Sequence, residues 1–182
     1  MVRKLKYHEQ KLLKKVNLTH WKNIDNVREA KIMQRYYIQD RDDYAKYNRI
    51  CGNITKLADV ISCLPADDPF RNEITDKLLE KLYNLGFIRV KERLSQVKDI
   101  SASSICRRRL PVVMCQIKMA ETLKEAVTFV EQGHVRVGPE TITDPAYIVT
   151  RNLEDFVTWV DTSKIKKKVA AYNDQLDDYD LM

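Results

Sequence analysis

The feature that most constrains the fold is a change in hydrophobic spacing between residues 110 and 137. Apolar residues first recur at steps of three and four, as they do along the buried face of a helix. They form two groups, Leu110, Val113, Met114 and Ile117, and then Leu123, Ala126, Val127 and Val130. After Gly133 the spacing becomes two, because His134-Val135-Arg136-Val137 alternates polar and apolar residues as a half-buried strand does. We therefore expect two short helices that lead into a small sheet.

Boundary signals in the same stretch support this order. Residues 101–104 offer N-cap candidates for the first helix, which is expected to carry residues 107–109 in its first turns. Thr122 and Glu125 have the spacing of a capping box, which opens the second helix, and Gly133 ends it. Together they predict an α+β module with a mainly antiparallel sheet. The remaining turn and strand signals are Gly138-Pro139, residues 147–149 and residues 156–160.

The preceding region has helical spacing and predicts a separate helical subdomain. Pro65 ends a first helix, and Asp68 and Pro69 begin a second one, which Gly86 suits as a left-handed C-cap. Tyrosines at this spacing are expected in the core rather than stacked on bases. The predicted buried faces are Tyr44, Tyr47, Ile50, Ile54, Leu57 and Ile61 in the first helix, and Leu78, Leu79, Leu82 and Leu85 in the second.

The two ends of the chain are rich in charge. Six of residues 3–15 are basic against one acid, Glu9, and leucines interrupt the run. This segment is either a solvated tail or an arm that lies along phosphates or docks in an assembly. The C-terminal end is basic from Lys164 to Lys168 and then acidic. The sequence thus predicts a basic arm (1–40), a helical subdomain (41–103), an RNA-binding module (104–165) and a basic-then-acidic tail (166–182).

The overall charge points to a polyanionic partner. The 182 residues carry 32 Lys and Arg against 26 Asp and Glu, a net charge of +6. Such an excess suits nucleic acid or an anionic membrane surface. No apolar run approaches the roughly 20 residues that cross a bilayer, and the N-terminus does not resemble a signal peptide. We therefore expect a soluble, non-secreted protein without a membrane partner.

The charge of the predicted module is strongly one-sided. No acidic residue occurs between Ala102 and Ala120, and such a surface suits contacts with phosphate groups. Three consecutive arginines cannot all face inward on a helix, so at least two should be exposed or paired. The alternative is that these cations only keep the protein in solution or pair with acids elsewhere. The residues expected to bind RNA are Arg107, Arg108, Arg109, Lys118, Lys124, His134 and Arg136.

Nothing in the sequence indicates catalysis. The four cysteines and three histidines lack metal-ligand spacing, so no metal site is predicted. The four glycines form neither a phosphate loop nor a dinucleotide fingerprint, so no cofactor is expected. Cys63 and Cys115 stand among apolar neighbours and are expected to be buried, reduced thiols. We predict that the protein is not an enzyme.

Residues 109–138 resemble the RNA-binding module of small-subunit ribosomal protein four, which also occurs in pseudouridine synthases and bacterial tyrosyl-tRNA synthetases. The sequence departs from that family at Leu123 and Val127, where arginines are usual. The resemblance therefore implies that RNA binding depends more on the seven cations above, or that a partner protein shares in it. The matching features occur without a gap: Arg109-Leu110, Ala120, Thr122, Ala126 and residues 133–137, followed by residues 144–149.

A longer resemblance covers nearly the whole chain. Residues 41–44, 68–71 and 78–83 resemble the helical part of the eukaryotic form of that ribosomal protein. Residues 3–15, 47–52 and 105–114 closely resemble the Imp-three family, the paralogues of that protein in the small-subunit processome.

This second resemblance implies a nucleolar role in ribosome biogenesis. Members of the family are subunits of the U-three small nucleolar ribonucleoprotein and promote pairing of U-three RNA with pre-ribosomal RNA. The implied protein partners are the M-phase phosphoprotein ten scaffold and the Imp-four protein. The alternative is a structural ribosomal protein of the mature small subunit. An enzyme that carries this module would need a catalytic domain for which 182 residues leave no room.

Overall fold

The structure is a computed structural model that describes residues 3–15 and 27–174. It consists mainly of helices, with one small sheet near the C-terminal end. The helices are α1 (Tyr7–Lys15), α2 (Val27–Tyr36), α3 (Arg41–Ser62), α4 (Pro69–Asn84), α5 (Ser95–Lys98), α6 (Ala102–Cys106), α7 (Leu110–Gln116), α8 (Leu123–Glu131), α9 (Lys164–Tyr172) and the 3-10 helix Arg151–Phe156.

The long helix α3 forms as predicted but buries a different stripe. Tyr44, Tyr47 and Ile61 are buried, whereas Ile50 and Leu57 are 38% and 45% exposed. The smaller residues Cys51 and Ala58 take their places in the core, which is also formed by α5 and α6. At 100° per residue, positions 44, 47, 51, 54, 58 and 61 share one face, whereas 50 and 57 lie beside it. The predicted stripe contained the larger side chains Ile50 and Leu57, although Cys51 and Ala58 fit the helical spacing better.

The second helix of this region begins and ends at its predicted signals. The Asp68 carboxylate caps α4 by accepting a hydrogen bond from the backbone N–H of Phe70 at 3.0 Å. Leu79 and Leu82 are buried, and Leu78 packs partly against the same core. Gly86 follows the helix with φ of +77°. The helical subdomain therefore closes around α3, α4, α5 and α6.

The predicted first helix of the module is interrupted. Residues 107–109 lie between α6 and α7 rather than in the first turns of one helix. Pro111 explains the break, because it lacks an N–H and its ring clashes with the carbonyl of Arg107 four residues earlier in a continuous helix. Arg109 is instead extended, with φ −66° and ψ 142°, and forms the N-cap of α7.

The sheet has three short antiparallel strands in the order β2-β1-β3. They are β1 (Val135–Val137), β2 (Glu140–Thr141) and β3 (Val157–Trp159). The strand expected at residues 147–149 is reduced to a single bridge between Ile148 and Arg109. It pairs with the extended connection between α6 and α7 and not with the sheet, through Leu110 N–H to Tyr147 O and Val149 N–H to Arg108 O, both at 2.8 Å.

The module has its own core between α7, α8 and one face of the sheet. The capping box that opens α8 forms as predicted, with Thr122 and Glu125 bonding each other's backbone. Gly133 follows α8 in the left-handed conformation. Two helices packed on a small antiparallel sheet match the predicted α+β class. The buried residues are Leu110, Val113, Met114, Ala126, Val130, Val135, Val137, Val149 and Val157.

The described parts of the two charged ends contain the helices α1, α2 and α9. In α1, Glu9 accepts a hydrogen bond from Arg3 at 2.6 Å. The sequence did not predict α2, which brings Tyr36 into the core of the helical subdomain together with Ile38. Part of the segment expected as an arm thus packs against the folded protein. The acids expected in the tail at 177, 178 and 180 lie outside the described residues.

The cysteines differ in part from the expectation of burial. All four are free thiols; Cys51 and Cys106 are buried, Cys115 is half-buried and Cys63 is exposed. Cys63 follows the last residue of α3, where the helix runs out into solvent, so its apolar sequence neighbours do not enclose it. None of the helices in the described ranges is long and apolar enough to span a bilayer.

Candidate nucleic-acid interface

Arg108, one of the seven predicted RNA-binding residues, is enclosed by the protein itself. Only 9% of the residue is exposed. Its Nε donates to Val149 O at 3.0 Å, and its Nη1 forms an ion pair with Glu154 at 3.0 Å. The guanidinium also lies against Gly86, where an added Cβ would come within 2.7 Å of Nε. Arg108 therefore joins α4 and the 3-10 helix to the start of the module.

Arg109 is buried more deeply, with 3% of the residue exposed. Its Nε donates to Pro145 O at 3.2 Å, and its Nη1 is buried without a hydrogen-bond partner. The charge acts on Tyr47 of α3: burial raises the pKa of that phenol to about 12, and Arg109 opposes the shift. Arg109 thus lies where the helical subdomain meets the module. RNA phosphates would have to displace these internal contacts to reach it.

Arg107 has the opposite environment from its two neighbours. It is exposed as the C-cap residue of α6, and no acid of the described ranges lies within ion-pair distance of it. A guanidinium in this position keeps all its donors available for a phosphate. Of the three consecutive arginines, only this one offers its charge to an external partner.

Lys118 lies at the turn between α7 and α8 in a conformation that normally favours glycine. Its φ is +66°. The turn is a Schellman motif, since Met119 N–H bonds Met114 O at 2.9 Å and Lys118 N–H bonds Cys115 O at 3.3 Å. A lysine there is strained by about 1 kcal/mol relative to glycine. The Lys118 side chain is exposed, so this strained residue places a positive charge on the surface.

Lys124 follows the same turn, six residues after Lys118. It is the second residue of α8 and is exposed. A cation in the first turn of a helix is unfavourable by a few tenths of a kcal/mol, because it meets the positive end of the helix dipole. An anion bound at this turn would reverse that penalty. Lys118 and Lys124 thus form a pair of exposed cations, here called the turn pair.

Arg136 lies on the other side of the sheet from the two helices. Its neighbours Val135 and Val137 face the core, so alternation along β1 directs Arg136 away from it. Its Nε donates to Thr158 Oγ1 at 3.1 Å and its Nη1 bonds Asp161 at 2.6 Å.

Asp161 is shared between two cations. Lys166 of α9 bonds its second oxygen at 2.5 Å. The hydrogen bond from Lys166, followed by the charge of Arg136, holds the pKa of the Asp161 carboxyl below its usual range. Two cations around one carboxylate leave a net positive site on this face of the sheet.

His134 is fixed by the cap of α9. Its Nδ1 lies 3.1 Å from Ser163 Oγ, which also accepts a hydrogen bond from Ile165 N–H at 3.2 Å. The hydroxyl has one proton to donate, and when Nδ1 accepts it the ring proton is on Nε2. His134 is half-buried, so the ring is held in place while part of it remains at the surface.

The seven predicted residues therefore do not form one patch. Arg108 and Arg109 are enclosed, Arg107 lies at the α6–α7 connection, the turn pair lies between α7 and α8, and His134 and Arg136 belong to the sheet and α9. Their separation follows from the sheet, whose two faces carry different residues. No cluster of three or more metal-ligating side chains occurs in the part of the chain that the structure describes.

Arg151 was not among the predicted site residues. Its Nη2 donates to Ile88 O at 2.8 Å, and its guanidinium lies 4.1 Å from the centre of the Tyr83 ring. Lys91 lies 4.7 Å from the same ring. Arg151 thus ties the 3-10 helix to α4 and the segment after it. No sequence signal distinguishes it, because its partners are 63 or more residues away.

Comparison with known families matches two adjacent parts of the chain. The family described as the ribosomal protein S4/S9 N-terminal domain matches residues 4–107, and the S4 domain matches residues 108–155. The boundary falls between Arg107 and Arg108, at the connection where the sequence and structure change from the helical subdomain to the module.

Full-length relatives are similar to the chain from end to end. The U3 small nucleolar ribonucleoprotein protein IMP3 of Saccharomyces cerevisiae is 57% identical over 182 residues, which is all of both chains. The human protein of that name is 51% identical over all of this chain and 99% of its own. The small ribosomal subunit protein uS4 of Metallosphaera sedula is 29% identical over 76% of each chain.

Proposed function

Because this chain belongs to the family of the U3 small nucleolar ribonucleoprotein protein IMP3, we propose that it is a non-catalytic RNA-binding subunit of that particle. Its role is to promote pairing of U3 RNA with pre-ribosomal RNA, for early processing and small-subunit assembly. It acts in the nucleolus. The observation that carries the proposal is the identity of 44% to 57% along the whole chain with relatives of that name.

The proposed partners follow from the same family. They are U3 RNA, pre-ribosomal RNA, the M-phase phosphoprotein ten scaffold and the Imp-four protein. The exposed cations Arg107, Lys118 and Lys124, with Arg136 beside Lys166, are the proposed RNA contacts. Arg108 and Arg109 were also predicted to bind RNA. Both are buried, and their internal contacts support the RNA-binding surface.

The mechanism that these surfaces support is electrostatic. Two RNA strands repel each other, and lysine and arginine bound to phosphates release counterions and lower that repulsion. The turn pair and the Arg136 site lie on different sides of the module, so each can contact a different length of RNA backbone. A short or mismatched duplex gains most from such help. The step requires neither a nucleotide cofactor nor a catalytic residue.

A structural protein of the mature small subunit is the second candidate. It is supported by the similarity to uS4, but at only 24% to 29% identity over about three quarters of the chain. The IMP3 relatives are nearly twice as similar and match the full length, so the first candidate is preferred.

Crosslinking in cells distinguishes the two candidates. Ultraviolet crosslinking of the tagged protein, followed by sequencing of attached RNA, is expected to recover U3 RNA and its pairing sites in the precursor. Reads confined to mature small-subunit RNA would contradict the proposal and support the ribosomal alternative. Sedimentation of the protein with large precursors rather than with finished subunits is the matching physical test.

An annealing assay tests the mechanism. The double variant Lys118→Glu, Lys124→Glu should slow annealing of U3 RNA to a precursor fragment, because it reverses the charge of the turn pair. The matched control is Arg49→Glu, Lys56→Glu, which reverses two exposed cations of α3 outside the module. At moderate salt we expect about tenfold slower annealing for the first variant and little change for the control. Equal rates for both variants would contradict the mechanism.

A further inference from the structure

A cavity in the helical subdomain lies outside every residue assigned to RNA above. Its volume is about 240 Å³, which is larger than a nucleobase, and it opens to the surface. Its apolar walls come from Phe87, Ile88 and Val90 on the segment after α4 and from Ile100 after α5. Val90 is 50% exposed although it is apolar. Phe87 is the aromatic residue of this lining, and aromatic side chains are the surfaces on which bases stack, while the aliphatic side chains supply further apolar contact.

The cavity also contains hydrogen-bond acceptors that the protein does not use. Gln96 lines it, and the Oε1 atom of that side chain is buried without a hydrogen-bond partner. This oxygen lies beneath the cavity surface, so a ligand reaches it once the Gln96 side chain turns towards the cavity, and a ligand donor then removes the cost of an unpaired buried acceptor. Asp99 also lines the cavity and stands three residues after Gln96, on the same face of α5 and its C-cap. The Asp99 carboxylate presents acceptors only, whereas the Gln96 amide has one acceptor oxygen and two N–H donors.

One cation lines the cavity, and two more follow it along the chain. Arg89 lines it, and Lys91 and Arg93 follow at alternate positions of the same irregular segment, all three of them exposed. Within the described ranges no acid is in ion-pair distance of Arg89 or Arg93, and Lys91 reaches Glu80 only at 3.9 Å. Cations spaced along an exposed segment can bind successive phosphates. This segment supplies three cations against one exposed acid, Glu92.

The cavity adjoins the module as well. Ser104 of α6 lines it, and the exposed Arg107 lies one helical turn further along the chain. The carbonyl of Ile88, in the cavity wall, accepts the hydrogen bond from Arg151 of the module. RNA held at Arg107 thus needs only a short length of chain to reach the cavity.

We propose that this cavity binds the base of one unpaired RNA nucleotide, with guanine preferred to uracil. The proposal rests on the proposed function, since it takes RNA as the ligand. Guanine presents two adjacent donors, N1–H and the N2 amino group, which suit the acceptors of Gln96 and Asp99. Uracil presents a single N–H between two carbonyls. These carbonyls would face the acceptors of Gln96 and Asp99, which is unfavourable. Arg89, Lys91 and Arg93 hold the neighbouring phosphates.

Binding of short RNAs to the full-length protein tests the proposal. The two probes are a twelve-nucleotide oligouridine and the same RNA with one central guanosine, measured by fluorescence anisotropy. We expect the guanosine-containing RNA to bind the wild-type protein about tenfold more tightly, the discrimination that one good base-edge contact supplies. Gln96→Leu should remove this preference and leave the affinity for oligouridine unchanged.

The matched control is Gln34→Leu, the same chemical change at an exposed position of α2. It should keep the tenfold preference. Asp99→Asn, at an exposed residue, gives a second variant that does not depend on the folding of Gln96→Leu, and it should also reduce the preference. Retention of the full preference in either cavity variant, with native circular dichroism, would overturn the proposal.

The outcomes separate the cavity from the proposed function. A wild-type protein that binds both RNAs without discrimination overturns the cavity proposal and leaves the RNA-binding role intact. A wild-type protein that binds neither RNA contradicts both. A 6-thioguanosine in place of the guanosine should crosslink to residues 87–100, and crosslinks confined to residues 107–136 would likewise overturn the cavity proposal.

Discussion

Arg108 and Arg107 are adjacent cations with different roles. Arg108 bonds Val149 O and Glu154 within the module and lies against Gly86 of the helical subdomain, so it helps to join the two parts. Arg107, one residue earlier, has no such contacts and is exposed. The burial of a charge is tolerated where it is paired and bonded. At the scale of single residues, position rather than residue type separates structural arginines from available ones.

Replacement of Arg108 by alanine is expected to destabilise the protein. It leaves Glu154 and the carbonyl of Val149 without their donor. Because the Glu154 side chain is 34% exposed, the expected loss is about 2 kcal/mol rather than the larger cost of breaking a fully buried pair. Urea unfolding measures it. Arg107→Ala is the control and should change the free energy of unfolding by less than about 0.5 kcal/mol; equal losses would contradict the assignment.

Tyr47 carries a buried hydroxyl that has no hydrogen-bond partner. Tyr47→Phe removes that group, so the free energy of unfolding should rise by about 1 kcal/mol at neutral pH. Burial raises the pKa of Tyr47 to about 12, against 10.0 for a free tyrosine. The native state therefore holds the proton more tightly, and its stability falls as the pH rises from 10 towards 12.

Phenylalanine cannot titrate, so the variant lacks this part of the alkaline loss. The stability difference between Tyr47→Phe and the wild type should therefore widen above pH 10. Urea unfolding at pH 8 and pH 11 measures the two differences. A difference that stays constant between these pH values would argue against the raised pKa.

At the scale of elements, α7 and α8 are joined by a turn that a lysine occupies at the cost of strain. Lys118 has φ of +66°, in the Schellman position where glycine is preferred. Lys124 stands in the first turn of α8, where a cation is unfavourable. Both residues are less favourable for stability than common alternatives. The well-formed cap of Thr122 stabilises the same turn, so the turn forms in spite of these two unfavourable residues.

Lys118→Gly tests whether the charge of this turn affects RNA binding independently of the stability of the fold. The change relieves the left-handed strain, so the free energy of unfolding should stay the same or rise by up to about 1 kcal/mol. The RNA affinity should fall, and the slope of its logarithm against the logarithm of salt concentration should decrease by about one. Thermal unfolding and a salt titration of RNA binding check the two parts. Loss of stability together with affinity would contradict this separation.

At the scale of the whole molecule, a small group of contacts holds the helical subdomain against the module. Arg108 lies against Gly86, and Arg151 reaches Ile88 and Tyr83. These residues come from both sides of residue 107, where the two matched families meet. Because the contacts are buried and directional, we expect the two parts to unfold together.

Gly86→Ala tests this junction. The new Cβ would lie 2.7 Å from Arg108 Nε at a residue with φ of +77°, so we expect a loss of at least about 2 kcal/mol. Gly52→Ala is the control: Gly52 lies exposed in α3 with open space around it, and alanine should stabilise the helix by about 0.5–1 kcal/mol. Similar effects of the two changes would contradict the close packing at Gly86.

Unfolding followed by two probes tests whether the helical subdomain and the module unfold cooperatively. Circular dichroism at 222 nm reports mainly the helices, and Trp159 fluorescence reports the sheet once Trp21 is replaced by phenylalanine. The two transitions should coincide in the Trp21→Phe background. Separate transitions would show that the subdomain and the module unfold independently.

Local patterns determined the elements of the module and its α+β class. The step of three and four along residues 110–130, the capping box of Thr122 and Glu125, and the alternation after Gly133 all act within a few residues, and each appears in the structure. The same holds for the cap of α4 at Asp68. Short-range hydrogen bonds and side-chain spacing suffice for these features, so the sequence alone predicts them.

Tertiary packing decided which residues face solvent. Cys51 and Ala58 replace Ile50 and Leu57 in the core of α3 because small side chains let α5 and α6 approach. Arg108 and Arg109 turn inward because their side chains bond to acceptors on Val149, Glu154 and Pro145. These acceptors lie 36 to 46 residues away in the chain, so the local sequence does not show them.

The same long-range packing creates the features that the sequence does not show. The cavity beside Gln96 is assembled from three separate segments, and the ion pair of Arg136 with Asp161 spans 25 residues. The fold class, the family and the basic character of the surface follow from the sequence alone. Which of the cations are exposed follows from the tertiary packing, because burial depends on contacts between residues that are distant in the chain.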